Sequence, residues 1–116
     1  MSSIYGNPTL AVVNAVRIDI HDIDYTILPG DYLVSIVELT GARLMTLPDA
    51  TVDVPLGKMY IIKDEVGVAG QHNITVRGFG TPGNEQPVDG ITAGAVINTN
   101  KGALTIVSNG VSWYIV

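Results

Sequence analysis

The chain has 116 residues and 12.3 kDa, room for one domain, and its six Lys and Arg against eleven Asp and Glu leave a net charge of −5. That is too little positive charge for a nucleic-acid partner. Only 15% of the residues are charged and 47% are hydrophobic, which excludes disorder over most of the length, and the absence of cysteine excludes a disulfide framework, a thiolate metal site and a thiol nucleophile.

Val, Ile and Thr together supply 38 of the 116 residues, a composition suited to strands, and 13 Gly and 6 Pro punctuate them at regular intervals. The first strand is predicted near 10–20, with Val16, Ile18 and Ile20 on one face and Arg17, Asp19 and His21 on the other. Strands follow near 25–28, 31–38 and 43–47, separated by turns at Pro29-Gly30 and Thr40-Gly41. In the last of these, Met45 and Leu47 alternate with Leu44 and Thr46. The strand near 58–63 differs, because Met59-Tyr60-Ile61-Ile62 is apolar on both faces. It reads as a central strand covered on both sides, or covered on one side by another subunit. Strands near 72–77, 91–98, 102–108 and 111–116 complete the chain, and Asn109-Gly110 between the last two predicts a hairpin with a type I′ turn.

No stretch keeps an apolar i, i+3, i+4 spacing over 11 residues, and no apolar run approaches the roughly 18 residues of a transmembrane helix. The start MSSIYGNP has neither the basic residues nor the apolar block of a secretion signal. The expected class is all-β: a jelly-roll-like or sandwich knob of about 8–9 short antiparallel strands. A chain so apolar and so sparsely charged is expected to hide surface in an oligomer.

From Tyr25 onward the motifs fall in a characteristic order: Asp31-Tyr32, Thr46-Leu47-Pro48, Gly57-Lys58, Tyr60, Ile62-Lys63-Asp64, Asn73-Ile74-Thr75, Asp89-Gly90, Asn98-Thr99-Asn100, Gly102, Leu104-Thr105, Asn109-Gly110 and Trp113-Tyr114. This ordered set resembles the small β modules at the tips of phage fibres and other viral surface fibres. The resemblance implies a non-enzymatic module, usually trimeric, on a virion surface; it names no receptor. The set begins at Tyr25, so residues 1–24 read as an N-terminal attachment arm and 25–116 as the β knob. The short chain with its apolar arm favours a capsid decoration or head-fibre protein over a tail-fibre receptor-binding tip. A carbohydrate-binding module is the alternative of another class. The implied partners are two further copies of the chain, other virion proteins through the arm, and a host surface glycan, with no nucleic acid and no membrane insertion.

Each chemically suggestive cluster has a plainer reading. Asp19, His21, Asp22 and Asp24 could offer oxygens to Ca²⁺, but the EF-hand spacing is absent, and a charged strand edge that discourages aggregation is the reading adopted. Lys63-Asp64-Glu65 reads as a turn with a local ion pair rather than an acid/base pair. Gly78 to Gly83 lacks the Gly-Lys-Ser/Thr ending of a phosphate loop and reads as a surface loop. Neither His72 nor any Ser sits in a nucleophile motif. No catalytic residue, cofactor or metal is assigned. Trp113 and Tyr114 alternate, so at most one of them can form an exposed sugar platform on a given face; packing is the role assigned to Trp113. The core and interface candidates are Met59, Ile61, Leu104, Ile106 and Trp113.

Overall fold

The structure, a computed structural model, describes residues 16–116. Nine strands and no helix lie among them: β1 (Arg17–His21), β2 (Tyr25–Thr26), β3 (Leu33–Glu38), β4 (Arg43–Thr46), β5 (Met59–Asp64), β6 (Ile74–Arg77), β7 (Ala95–Ile97), β8 (Ala103–Ser108) and β9 (Trp113–Ile115). Each falls within, or one residue beyond, a predicted segment, although residues 10–15 of the first prediction lie outside the described residues.

The strands form a five-stranded sheet in the order β1-β3-β5-β8-β9 and a four-stranded sheet in the order β2-β4-β6-β7. From β1 to β6 the chain alternates between the two sheets. Its like strands therefore stack in parallel: β1 on β3, β3 on β5, β2 on β4 and β4 on β6. Parallel neighbours need a crossover connection. Here each crossover is a strand of the opposite sheet, and the result is a two-faced coil of three turns. The expectation of an all-antiparallel knob is thereby corrected. Only the last three strands reverse, with β7 antiparallel to β6, β8 to β5 and β9 to β8. The connection from β7 to β8 crosses from one sheet to the other and closes the coil.

Side chains alternate across each strand, so one face of each sheet points inward. Ile18, Val34, Ile62 and Leu104 form one inward row of the five-stranded sheet, and Tyr60, Ile106 and Ile115 another. Met45 and Val76, with Ile74 and Ile97, face them from the four-stranded sheet. These residues join Trp113 in a single core, where the Tyr60 and Trp113 rings lie 5.7 Å apart at 51°. Burying each aliphatic side chain of this kind is worth about 1.5–3 kcal/mol.

Polar side chains fasten the corners of the coil to one another. Asp22 takes a positive φ of 59° and turns the chain from β1 toward β2. Its carboxylate accepts the backbone N–H of Thr40 at 2.8 Å in the next corner, the Thr40 hydroxyl and the Arg43 guanidinium. Asp24 accepts the Leu44 N–H at 2.9 Å. The packing therefore runs through the expected division at residues 24 and 25: β1 pairs along its whole length with β3, and Ile20 is in the core. The remainder of the expected arm, residues 1–15, lies outside the described residues.

The β8–β9 hairpin forms where expected but not with the expected turn. Of Asn109 and Gly110, only Gly110 has a positive φ, whereas a type I′ turn needs two. The Asn109 side-chain carbonyl instead accepts the N–H groups of Val111 and Ser112 at 3.0 and 2.8 Å.

Candidate functional site

The outward face of the five-stranded sheet divides into two halves. Alternation along β5 sends Tyr60, Ile62 and Asp64 inward, where they are buried, and leaves Met59, Ile61 and Lys63 outward and half-buried. In register across the sheet, Ile61 lies beside Leu33 and Thr105, and Met59 beside Val107, which in turn faces Tyr114. Val107 is buried without joining the core, so it is its neighbours on the outer face that cover it. Exposed Leu56, Val111 and Val116 belong to the segments flanking this half; the Leu56 side chain reaches the turn at Gly110, and the Val116 N–H bonds Thr105 O.

The other half is polar. Arg17 donates to Asp19 and to Glu65, each at 2.7 Å, and the Ser35 hydroxyl donates to the same Glu65 oxygen. These hydrogen bonds from Ser35 and then Arg17 hold the Glu65 carboxyl below its ordinary value. Lys63 and Lys101 donate to the backbone carbonyls of Lys101 and Glu65. The outer face thus sets an apolar half beside a charged one.

The five sequence candidates thus separate into two groups. Ile106 and Trp113 are core residues, and Leu104 is half-buried against the core. Met59 and Ile61 sit together on the outer face. Tyr114, on the face opposite Trp113, is 38% exposed.

The acidic cluster of β1 and the corner that follows it does not converge. Asp19 turns to Arg17, His21 to Glu38 at 2.9 Å, Asp22 to the Thr40 corner and Asp24 to Leu44. The Thr40 hydrogen bonds, then Arg43, lower the Asp22 carboxyl to about 2. Among the described residues, no three His, Asp or Glu side chains gather as metal ligands would.

Asp64 departs from its expected place in a surface ion pair. It is fully buried and accepts backbone N–H groups from Gly67 at 2.9 Å, Ala69 at 2.8 Å and Lys101 at 3.0 Å. Desolvation pushes this carboxyl up, but the backbone donors together outweigh it and hold the group below its ordinary value. Such a nest of amides fixes a carboxylate as structure rather than as an acid or base.

Sequence reasoning overlooked two further buried carboxylates. Asp31 accepts the Tyr25 hydroxyl at 2.6 Å and the Leu28 N–H at 2.9 Å. Burial first, and then Asp31, raises the Tyr25 phenol to about 12. The signal was present in the Leu28-Pro29-Gly30-Asp31 turn, where an Asp three residues on can reach back to a free N–H. Glu85 is buried in the loop after β6, beside Arg77; no local pattern announces it.

The Gly78 to Gly83 stretch is part of a tight surface loop. A Cβ at Gly78 would lie 2.0 Å from the Gln86 carbonyl, so only glycine fits. No protein-family model matches the chain, and no curated protein matches it in sequence.

Proposed function

We propose that the chain is a non-enzymatic structural protein of a phage virion, displayed on the particle surface as a capsid decoration or head-fibre module, and that it assembles as a homotrimer. The observation that carries this reading is the apolar half-face of Leu33, Met59, Ile61 and Tyr114, which covers Val107 and lies beside a charged margin. On a chain with only 15% charged residues, such a face suits contact with further copies of the same chain. The ordered motifs from Tyr25 to Tyr114, which resemble viral fibre modules, support the virion setting and the three-fold state. The segment ahead of β1 would hold the module to other virion proteins.

Gel filtration with light scattering tests the assembly. Wild type should run at about three times 12.3 kDa, and Ile61→Lys, on the outer face, should run as a folded monomer. Wild type running as a monomer at micromolar concentration overturns the trimer. Gold-labelled antibody on phage particles tests the setting: label on the head supports the decoration reading, label on fibre tips replaces it with a tail-fibre role, and absence from the particle overturns both. In that last case a glycan array separates a free-standing carbohydrate-binding module from a protein of some other kind.

A further inference from the structure

The turn between β8 and β9 gathers reactive groups around one side chain. Of the seven asparagines in the chain, Asn109 alone is followed by glycine, and it is exposed. Its backbone N–H donates to Ser112 O at 3.1 Å, which pins the turn. Its side chain folds forward, so that Oδ1 accepts the N–H groups of Val111 at 3.0 Å and Ser112 at 2.8 Å. The Gly110 peptide is bracketed by this bridge. Its N–H donates to the Ser108 hydroxyl at 3.1 Å, and Ser108 is buried, which fixes the acceptor in place. Gly110 has a φ of +89° and, chain neighbours aside, only Leu56 Cδ1 among the described residues lies near the side a Cβ would occupy, at 3.6 Å.

These contacts supply what imide closure at an Asn-Gly pair needs. The nucleophile is the Gly110 nitrogen and the electrophile is Asn109 Cγ, and both are held in one pinned turn, which lowers the entropy cost of bringing them together. Negative charge develops on Oδ1 during the attack. Two backbone N–H groups already point at that oxygen, at the distances suited to an oxyanion. The Ser108 hydroxyl accepts from the Gly110 N–H and so draws its proton away from the attacking nitrogen. Glycine places no side chain in the path of the closing ring.

We infer that Asn109 is a self-modification site, where the folded β8–β9 turn promotes closure of a succinimide between the Asn109 side chain and the Gly110 nitrogen. The Gly110 nitrogen loses its proton to water and bonds to Cγ. The side-chain amide nitrogen takes up a proton, and its bond to Cγ breaks to release ammonia. Water then adds to one of the two imide carbonyls. Breaking the new N–Cγ bond gives aspartate; breaking the bond from the same nitrogen to the main-chain carbonyl carbon gives isoaspartate, whose backbone is longer by a methylene. Either product places a new negative charge beside exposed Leu56 and Val111, at the margin of the apolar half-face. The inference does not depend on the virion reading, and it is tested on the isolated chain.

Timed incubation of the full chain near neutral pH tests it, with peptide mapping by mass spectrometry that resolves aspartate from isoaspartate at position 109. The same chain unfolded in guanidinium chloride is the reference. The folded chain should convert Asn109 about tenfold faster or more than the unfolded one, because the turn supplies alignment and oxyanion donors. Ser108→Ala should slow the folded reaction by about threefold or more, through loss of the acceptor on the Gly110 N–H, and Ser108→Thr, which keeps a hydroxyl, should retain the fast rate. Circular dichroism checks that each variant is folded; if Ser108→Ala is not, the wild-type comparison of folded and unfolded chain decides alone. An Asn109 that stays intact, a folded rate equal to or below the unfolded one, or a folded Ser108→Ala with the wild-type rate each overturns the proposal.

Discussion

The carboxylate of Asp64, at the end of β5, accepts the backbone N–H of Lys101 at 3.0 Å, in the turn that leads into β8. Lys101 holds a positive φ of 65°, unusual for a residue with a side chain, and this bond is part of what keeps it there. The same carboxylate anchors Gly67 and Ala69, so one side chain joins the β5–β6 corner to the turn that closes the coil. Asp64→Ala should lower stability by about 3 kcal/mol or more, since three amides lose their buried acceptor at about 1–3 kcal/mol each. Asp64→Asn, which keeps one acceptor oxygen, should lose less. Urea melts of the two variants measure the difference; equal and small losses would show the nest to be dispensable.

Trp113 is 1% exposed and packs on Tyr60, while its Nε1 is buried without a partner. Trp113→Ala should cost about 3–5 kcal/mol, a large share of the roughly 5–15 kcal/mol available to a domain. Trp113→Phe should cost much less, because it keeps an aromatic ring against Tyr60 and removes the unpartnered N–H. Thermal melts of both should show this order. Wild-type fluorescence at the emission maximum of water-exposed indole would already contradict burial.

The corner formed by Asp22 makes the fold acid-sensitive in a defined window. Its carboxyl sits at about 2 in the folded chain, below its ordinary value of 3.8, because of Thr40 first and Arg43 in addition. A lowered carboxyl contributes stability that is complete above the unfolded value and is lost as pH falls toward the folded one. The melting temperature should therefore fall between about pH 4 and pH 2, and Asp22→Asn should flatten part of that fall. Asn also tolerates the positive φ, so the variant should fold at pH 7. An unchanged acid profile in Asp22→Asn would assign the window to other carboxylates, such as Asp64, Asp49 and Glu65, all of which are also held low.

Tyr25 gives the opposite window. Its phenol is raised to about 12 by burial and then by Asp31. A raised group contributes stability that is present below its unfolded value near 10 and is lost as pH climbs toward the folded one. Melts between pH 9 and 12 should show this decline, and Tyr25→Phe should shallow it. An identical alkaline decline in Tyr25→Phe would place its origin elsewhere, with buried Tyr60 the next candidate.

Deleting residues 1–24 removes β1 and with it Ile20, the Asp22 corner and the whole β1–β3 pairing. Circular dichroism should report an unfolded or strongly destabilised chain. A truncated protein with native stability would make β1 an accessory to the coil and support a boundary at 24 and 25.

Where strands form, and which way their side chains face, could be read from neighbouring residues alone. Ile18 and Ile20 opposite Arg17 and Asp19, Ile74 and Val76 opposite Thr75 and Arg77, and the apolar Met59–Ile62 run were all legible, because strand period and burial are properties of neighbouring residues. Strand direction was not legible. A turn such as Thr40-Gly41 reads the same whether the chain doubles back within one sheet or crosses to the other, and only the packing of the two sheets chooses between them. The coil also left no visible repeat: its turns differ in length, so Arg17, Leu33 and Ile61 stack in register without any regular spacing in the chain. The roles of Asp64 and Glu85 were hidden for the same reason. A carboxylate reads as surface charge until tertiary contacts bring distant donors to it: the Lys101 amide for Asp64, the Arg77 guanidinium for Glu85.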